Sequence, residues 1–186
     1  MKYYTLFLII ILLFSCDVMK QKEDALKTVQ VKKWSQLDKP EYSIVYPSNW
    51  DLDSSGQMGT QFFILSPLES ETDKFKENVN LLKQNIPNEY NLDNYIQLSI
   101  NQIKTQVKNS KITESKRIKK GGNEFHILKY QGFQSQFYLS FTQYVFIENE
   151  QVFLLTFTKE PSKEKAYKEI ENQILKSFKL ELWENN

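Results

Sequence analysis

The chain has 186 residues, 40% of them hydrophobic and 14% aromatic, with 13 Phe and 10 Tyr: enough to bury one core and too aromatic to stay unfolded. Its 24 basic and 23 acidic residues nearly cancel, leaving a formal net charge of +1 without the basic excess expected of a nucleic-acid binder. A single cysteine excludes an intrachain disulfide, so that residue needs another reason to be there.

The first element is apolar. Met1-Lys2-Tyr3-Tyr4-Thr5 carries one positive charge and leads into residues 6–14, an unbroken run of Leu, Ile and Phe. Ser15 and Cys16 close the run, and the chain turns polar from Asp17. A transmembrane helix needs ~20 apolar residues; this run has the length of a signal-peptide core instead. Leu13-Phe14-Ser15-Cys16 resembles the lipobox of bacterial lipoproteins, with an aliphatic residue at the third position before cysteine and a small one just before it. That resemblance implies a diacylglyceryl group on the Cys16 sulfur, cleavage after Ser15 and acylation of the new amino terminus. Phe14 departs from the pattern, where a smaller residue is usual, and an ordinary secretory signal is the alternative. Each buried methylene contributes about 0.8 kcal/mol, so two or more acyl chains hold stably where one is marginal. Residues 1–15 are thus expected to be removed, leaving 23 charges of each sign, and the rest to be anchored in a bacterial membrane, outside the cytoplasm.

Residues 16–31 are rich in Lys, Gln and Glu, and read as the lipidated end and a flexible tether. Residues 32–186 read as one α+β domain. Strands are expected at 42–46, 50–53, 61–66 and 78–86, with Pro47, Gly56 and Pro67 as punctuation and the acidic stretch 69–77 as a surface loop. Leu92, Ile96, Ile100, Ile103 and Val107 recur at helical spacing, giving a helix over 92–107 with Asn91 as its N-cap. Strands follow at 111–118, 124–131, 136–147 and 151–158, the first two joined through Gly121-Gly122-Asn123. The last two are apolar on both faces: Phe137, Leu139 and Phe141 oppose Tyr138, Tyr144 and Phe146, and Val152 and Leu154 oppose Phe153, Leu155 and Phe157. Such strands belong in the middle of a sheet covered on both sides. A second helix starts near Pro161 with Tyr167, Ile170, Ile174 and Phe178 facing inward. The expected fold is an antiparallel β-sheet sandwiched between helices.

This order resembles the PsbP-like superfamily, which includes the extrinsic PsbP protein of photosystem II, a Ran-binding nuclear import factor and bacterial DcrB-type lipoproteins. The resemblance rests on Tyr42-Ser43-Ile44-Val45-Tyr46-Pro47-Ser48-Asn49-Trp50, on Leu92-Asp93-Asn94-Tyr95, and on the ending Ile174-Leu175-Lys176-Ser177-Phe178. It implies an αβα sandwich of this length and says little of chemistry, because members of one fold do different things. Photosystem relatives are associated with manganese and calcium retention, but no ligand set of theirs maps onto this chain. Trp50 is expected to plug one end of the sheet.

Few residues suggest chemistry. His126, the only histidine, lies on a strand between Phe125 and Ile127, with no second histidine or free cysteine to complete a metal site. It reads as structural. Asp51, Asp53, Ser55 and Gly56 begin like a calcium loop, but the twelfth position, where glutamate is required, is Phe62. Glu69, Glu71 and Asp73 read as a solvated loop, and Lys116-Arg117-Ile118-Lys119-Lys120 as a solvated hairpin end. No catalytic residue, cofactor or metal site is assigned, and Cys16 is the one site expected, for lipid. The function expected is that of a non-catalytic binding or assembly module at the cell envelope, with a protein partner and no nucleic acid. The alternative is a carrier whose sheet-helix cleft holds a small apolar or amphipathic ligand.

Overall fold

The computed structural model describes Val29, residues 31–120 and residues 123–181, with the backbone alone at Lys120 and Asn123. The expected signal segment 1–15, Cys16, most of the tether 16–31 and the Gly121-Gly122 turn lie outside the described residues.

Two antiparallel sheets are present, where the sequence led us to expect one. The smaller joins β1 (Trp34–Asp38), β2 (Tyr42–Pro47) and the two-residue β10 (Lys179–Leu180), in the order β1-β2-β10. The larger has seven strands: β3 (Asp51–Asp53), β4 (Thr60–Leu65), β5 (Asn78–Asn85), β6 (Lys111–Lys120), β7 (Asn123–Gln134), β8 (Phe137–Glu148) and β9 (Gln151–Lys159). Their order is β3-β4-β5-β9-β8-β7-β6. Pro47 accounts for the split. It has no N–H to continue a ladder, so the chain turns there, with the Trp50 N–H donating to the Pro47 carbonyl at 3.0 Å, and resumes in the other sheet. Trp50 fills the corner as expected, buried 6.1 Å from the Phe157 ring and 6.2 Å from Tyr167.

The helices are α1 (Leu92–Gln106) and α2 (Glu164–Ser177). The Asn91 side chain accepts from the Asn94 N–H at 2.9 Å and caps α1. Pro161 opens a 3-10 turn (Pro161–Lys163) that runs into α2. At the far end of α2, Ser177 Oγ accepts from the Val45 N–H at 2.9 Å, tying the helix to β2. Phe178 then stacks on Tyr42 and packs on Phe146, giving the Ser-Phe ending a physical role as a clasp between helix and both sheets.

Alternation along β9 sorts the two faces of the large sheet. Phe153, Leu155 and Phe157 point to the side covered by α2 and the small sheet, where they join Ile64, Val79, Leu81, Tyr167, Ile170 and Ile174 in the main core. Val152 and Val145 point the other way, under Leu92, Tyr95 and Ile96 of α1. Ile103 continues that contact onto Leu128, Leu139 and Phe141. Gly132 admits the end of α1, because a Cβ there would lie 2.4 Å from Val107 Cγ1. The sandwich of helices is therefore partial. One face is closed by a helix and a sheet together; the other has α1 alone, lying over the β7–β9 side, and β4 and β5 extend past it.

Candidate functional site: an uncharged groove beside the first helix

Where α1 leaves the sheet uncovered, a groove of about 570 Å³ opens. Phe63 of β4, Leu82 of β5 and Leu154 of β9 form its floor, each half-buried. Phe137 at the start of β8 makes one wall with Phe75, their rings 5.3 Å apart. The β7–β8 turn contributes Gln134 and Gln136, and Asn80 stands on β5 between the floor residues. Met58, 81% exposed, sits on the rim. Among the described residues no Asp, Glu, Lys, Arg or His lines the groove, although a quarter of the chain is charged. The side-chain amides of Asn80, Gln134 and Gln136 have no hydrogen-bond partner among the described residues.

The loop that delivers Phe75 was expected to be solvated throughout. Its acidic tip is: Asp73 accepts from the Glu69 N–H at 3.0 Å and the Phe75 N–H at 3.2 Å, folding the loop on itself. Its last residue is not. Glu77 is fully buried, with Oε1 accepting from the Glu160 N–H at 3.4 Å and Oε2 unpartnered, as is the buried Ser66 Oγ. Burial pushes the Glu77 carboxyl up to about 7. Backbone donors and the Lys163 ammonium pull it down only in part, and the nearby Asp73 adds to the rise. Tyr167, on the α2 side of the same cluster, is raised by burial and then by the Glu77 charge.

His126 is buried, as a structural histidine would be, and its pKa is lowered by that burial. Nε2 meets Ser115 Oγ at 2.8 Å, but Nδ1 has no partner among the described residues. Asp93, whose charge acts on His126, is held instead by Arg117 Nη1 at 2.8 Å to both oxygens. A serine–histidine contact without a third group on the far ring nitrogen lacks the orientation a nucleophile-activating base needs.

The remaining candidates are occupied by structure. Asp53 accepts from the Ser55 N–H at 2.8 Å and Asp51 pairs with Lys76 at 3.2 Å, so the calcium-like loop spends its carboxylates internally. Arg117 and Lys119 both pair with Glu124 at the hairpin end. On the closed face, Lys159 is 3% exposed and paired with Glu171 and Glu164 beside a cavity of about 300 Å³. No cluster of three or more potential metal ligands occurs among the described residues, and no helix among them is long and apolar enough to cross a membrane.

Sequence reasoning found the strands that line the groove and, as an alternative, a sheet-helix cleft, but not where in the fold that cleft would lie. Phe137 and Leu154 read as residues of strands covered on both sides, and Phe63 as part of a strand at 61–66; nothing local marks where α1 stops.

The chain matches the family described as PsbP-like protein over residues 17–180. No curated protein matches it by sequence. Among solved structures it is similar to cyanobacterial PsbP from Synechocystis, at 14% identity and a TM-score of 0.58, covering 82% of this chain and 95% of that one. It is similar to LpqN, involved in cell envelope biogenesis of Mycobacterium tuberculosis, at 11% identity and 0.56, covering 80% and 90%. The Ran-binding protein Mog1p of Saccharomyces cerevisiae follows at 8% identity and 0.56, covering 80% and 95%. At these identities the likeness is one of fold.

Proposed function

From the premise that the chain belongs to the PsbP-like protein family, we propose that it is a non-catalytic binding and assembly module. It is held at the bacterial cell envelope by acyl chains on Cys16 and works through a protein partner. The observation that carries this reading is a junction in the sequence. The apolar run ends at Phe14, Ser15 and Cys16 follow, and the family match begins at the next residue. A cleavage after Ser15 leaves the lipidated cysteine directly joined to the family domain. The fold supports a binding role, since LpqN is described through envelope biogenesis and Mog1p through its binding of Ran.

Growth of a bacterium expressing the chain in radiolabelled palmitate tests the anchor. The expected result is a labelled, membrane-bound product, with label and membrane association both lost in Cys16→Ser. An unlabelled, freely released parent chain overturns the anchored reading. Cross-linking in intact envelopes then tests the partner: adducts should form with the anchored chain and weaken when Cys16→Ser frees it.

A further inference from the structure

We propose that the groove beside α1 is a binding site for an uncharged, amphipathic small molecule. Its apolar face would rest on Phe63, Leu82 and Leu154, and its neutral polar groups would meet the amides of Asn80, Gln134 and Gln136. This site goes beyond the envelope role and does not depend on the anchor.

Four observations converge. A sheet face left to water normally turns polar, yet β4, β5 and β9 present Phe63, Leu82 and Leu154 only half-buried among the described residues, with Leu154 at the edge of the cluster under α1. The volume, about 570 Å³, lies in the range of small-molecule sites, roughly 300–1,000 Å³. The lining is free of charge, so an ionised ligand would give up hydration and find no counter-charge. An uncharged one loses little. Finally, three amides offer donors and acceptors that the described residues leave unused, so ligand polar groups displaced from water are met rather than stranded. An apolar floor with a few convergent neutral polar groups selects a molecule having both surfaces.

Two dyes sharing one ring system separate the claims: dansylamide, which is neutral, and dansylate, its anionic sulfonate. The full chain, processed by the cell, is assayed with phosphatidylcholine nanodiscs present whether or not it inserts in them, and the signal of empty discs is subtracted. The expected result is saturable, one-site binding of dansylamide with blue-shifted emission, and affinity for dansylate lower by about tenfold or more. Leu154→Lys, which places a charge in the floor, is expected to abolish dansylamide binding. Because that change also strains the sheet, Gln136→Glu on the exposed turn serves as the second variant, and it should weaken dansylamide several-fold while leaving the unfolding midpoint in place. Equal affinity for the two dyes, uptake no greater than that of empty discs, or full dansylamide affinity in Gln136→Glu would overturn the proposal. Loss of palmitate labelling would leave these dye results unchanged, so the two readings fail separately.

Discussion

The two faces of the seven-stranded sheet share one backbone and differ in what lies over them. On one side, α2 and the small sheet together reduce Phe153, Leu155 and Phe157 to no exposure, and Trp50 and Phe178 close the corners. On the other, α1 buries Val145, Val152 and Leu128 but leaves Phe63, Leu82 and Leu154 half-open. The residue types at the two places are the same. What makes one a core and the other a groove is the reach of the covering elements, so an apolar strand face records that something will cover it without recording what.

Equal truncations on the two faces should have unequal effects. Phe157→Ala on the closed face is expected to cost about 3–5 kcal/mol, whereas Phe63→Ala on the open one should cost about 1 kcal/mol, because water already reaches that site. Denaturant midpoints measure both, and similar losses would mean the groove is packed core.

Glu77 sharpens the comparison through pH, since it is a carboxyl sealed in the closed side. Its ordinary value of 4.5 rises to about 7 in the folded chain, so between those values the fold retains a proton that the unfolded chain has released. The stability this group contributes is whole below about pH 4.5 and is lost as pH rises through about 7. At about 1.4 kcal/mol per unit, the loss is on the order of 3 kcal/mol. Glu77→Gln keeps an oxygen for the Glu160 N–H and removes the titration. Urea unfolding of parent and variant at about pH 5 and about pH 8 should show the variant gaining relative stability at the higher pH. A constant difference would place Glu77 in contact with water.

The helix anchors make smaller contributions. Ser177→Ala deprives the Val45 N–H of its acceptor and should cost about 1–2 kcal/mol, read as a fall in the urea midpoint. Asn91→Ala removes the cap of α1 for about 1 kcal/mol. Hydrogen exchange distinguishes the two: the first should speed exchange at the end of α2, the second at the start of α1, over the open side.

Periodicity made most of this architecture legible. Both helices, the Asn91 cap and eight of the strands follow from alternation and spacing, and the buried role of Trp50 follows from its place after Pro47. The second sheet was not legible, because Lys179–Leu180 is too short to show alternation and pairs with Tyr42–Ser43, distant in sequence. The burial of Glu77 was hidden for a similar reason. It sits at the end of an acidic run, and its neighbours Ser66, Glu160 and Tyr167 come from other parts of the chain. His126, read as structural because one histidine without companions has little else to do, is buried with Ser115 as its contact. The groove required knowing where α1 ends in space, which a helical stripe does not encode.

The pairing of β10 with β2 also bears on time. Ser43 and Lys179 are far apart in sequence, and among the described strands their ladder closes the longest stretch of chain. β5 must likewise wait for β9, its partner across α1 and the β6–β8 meander. Long-range pairing of this kind incurs loop-closure entropy before any contact rewards it, so folding is slow compared with that of helical bundles. A chain whose Lys179–Leu180 has not yet reached Tyr42–Ser43 therefore lacks the ladder that ties the end of α2 to the small sheet.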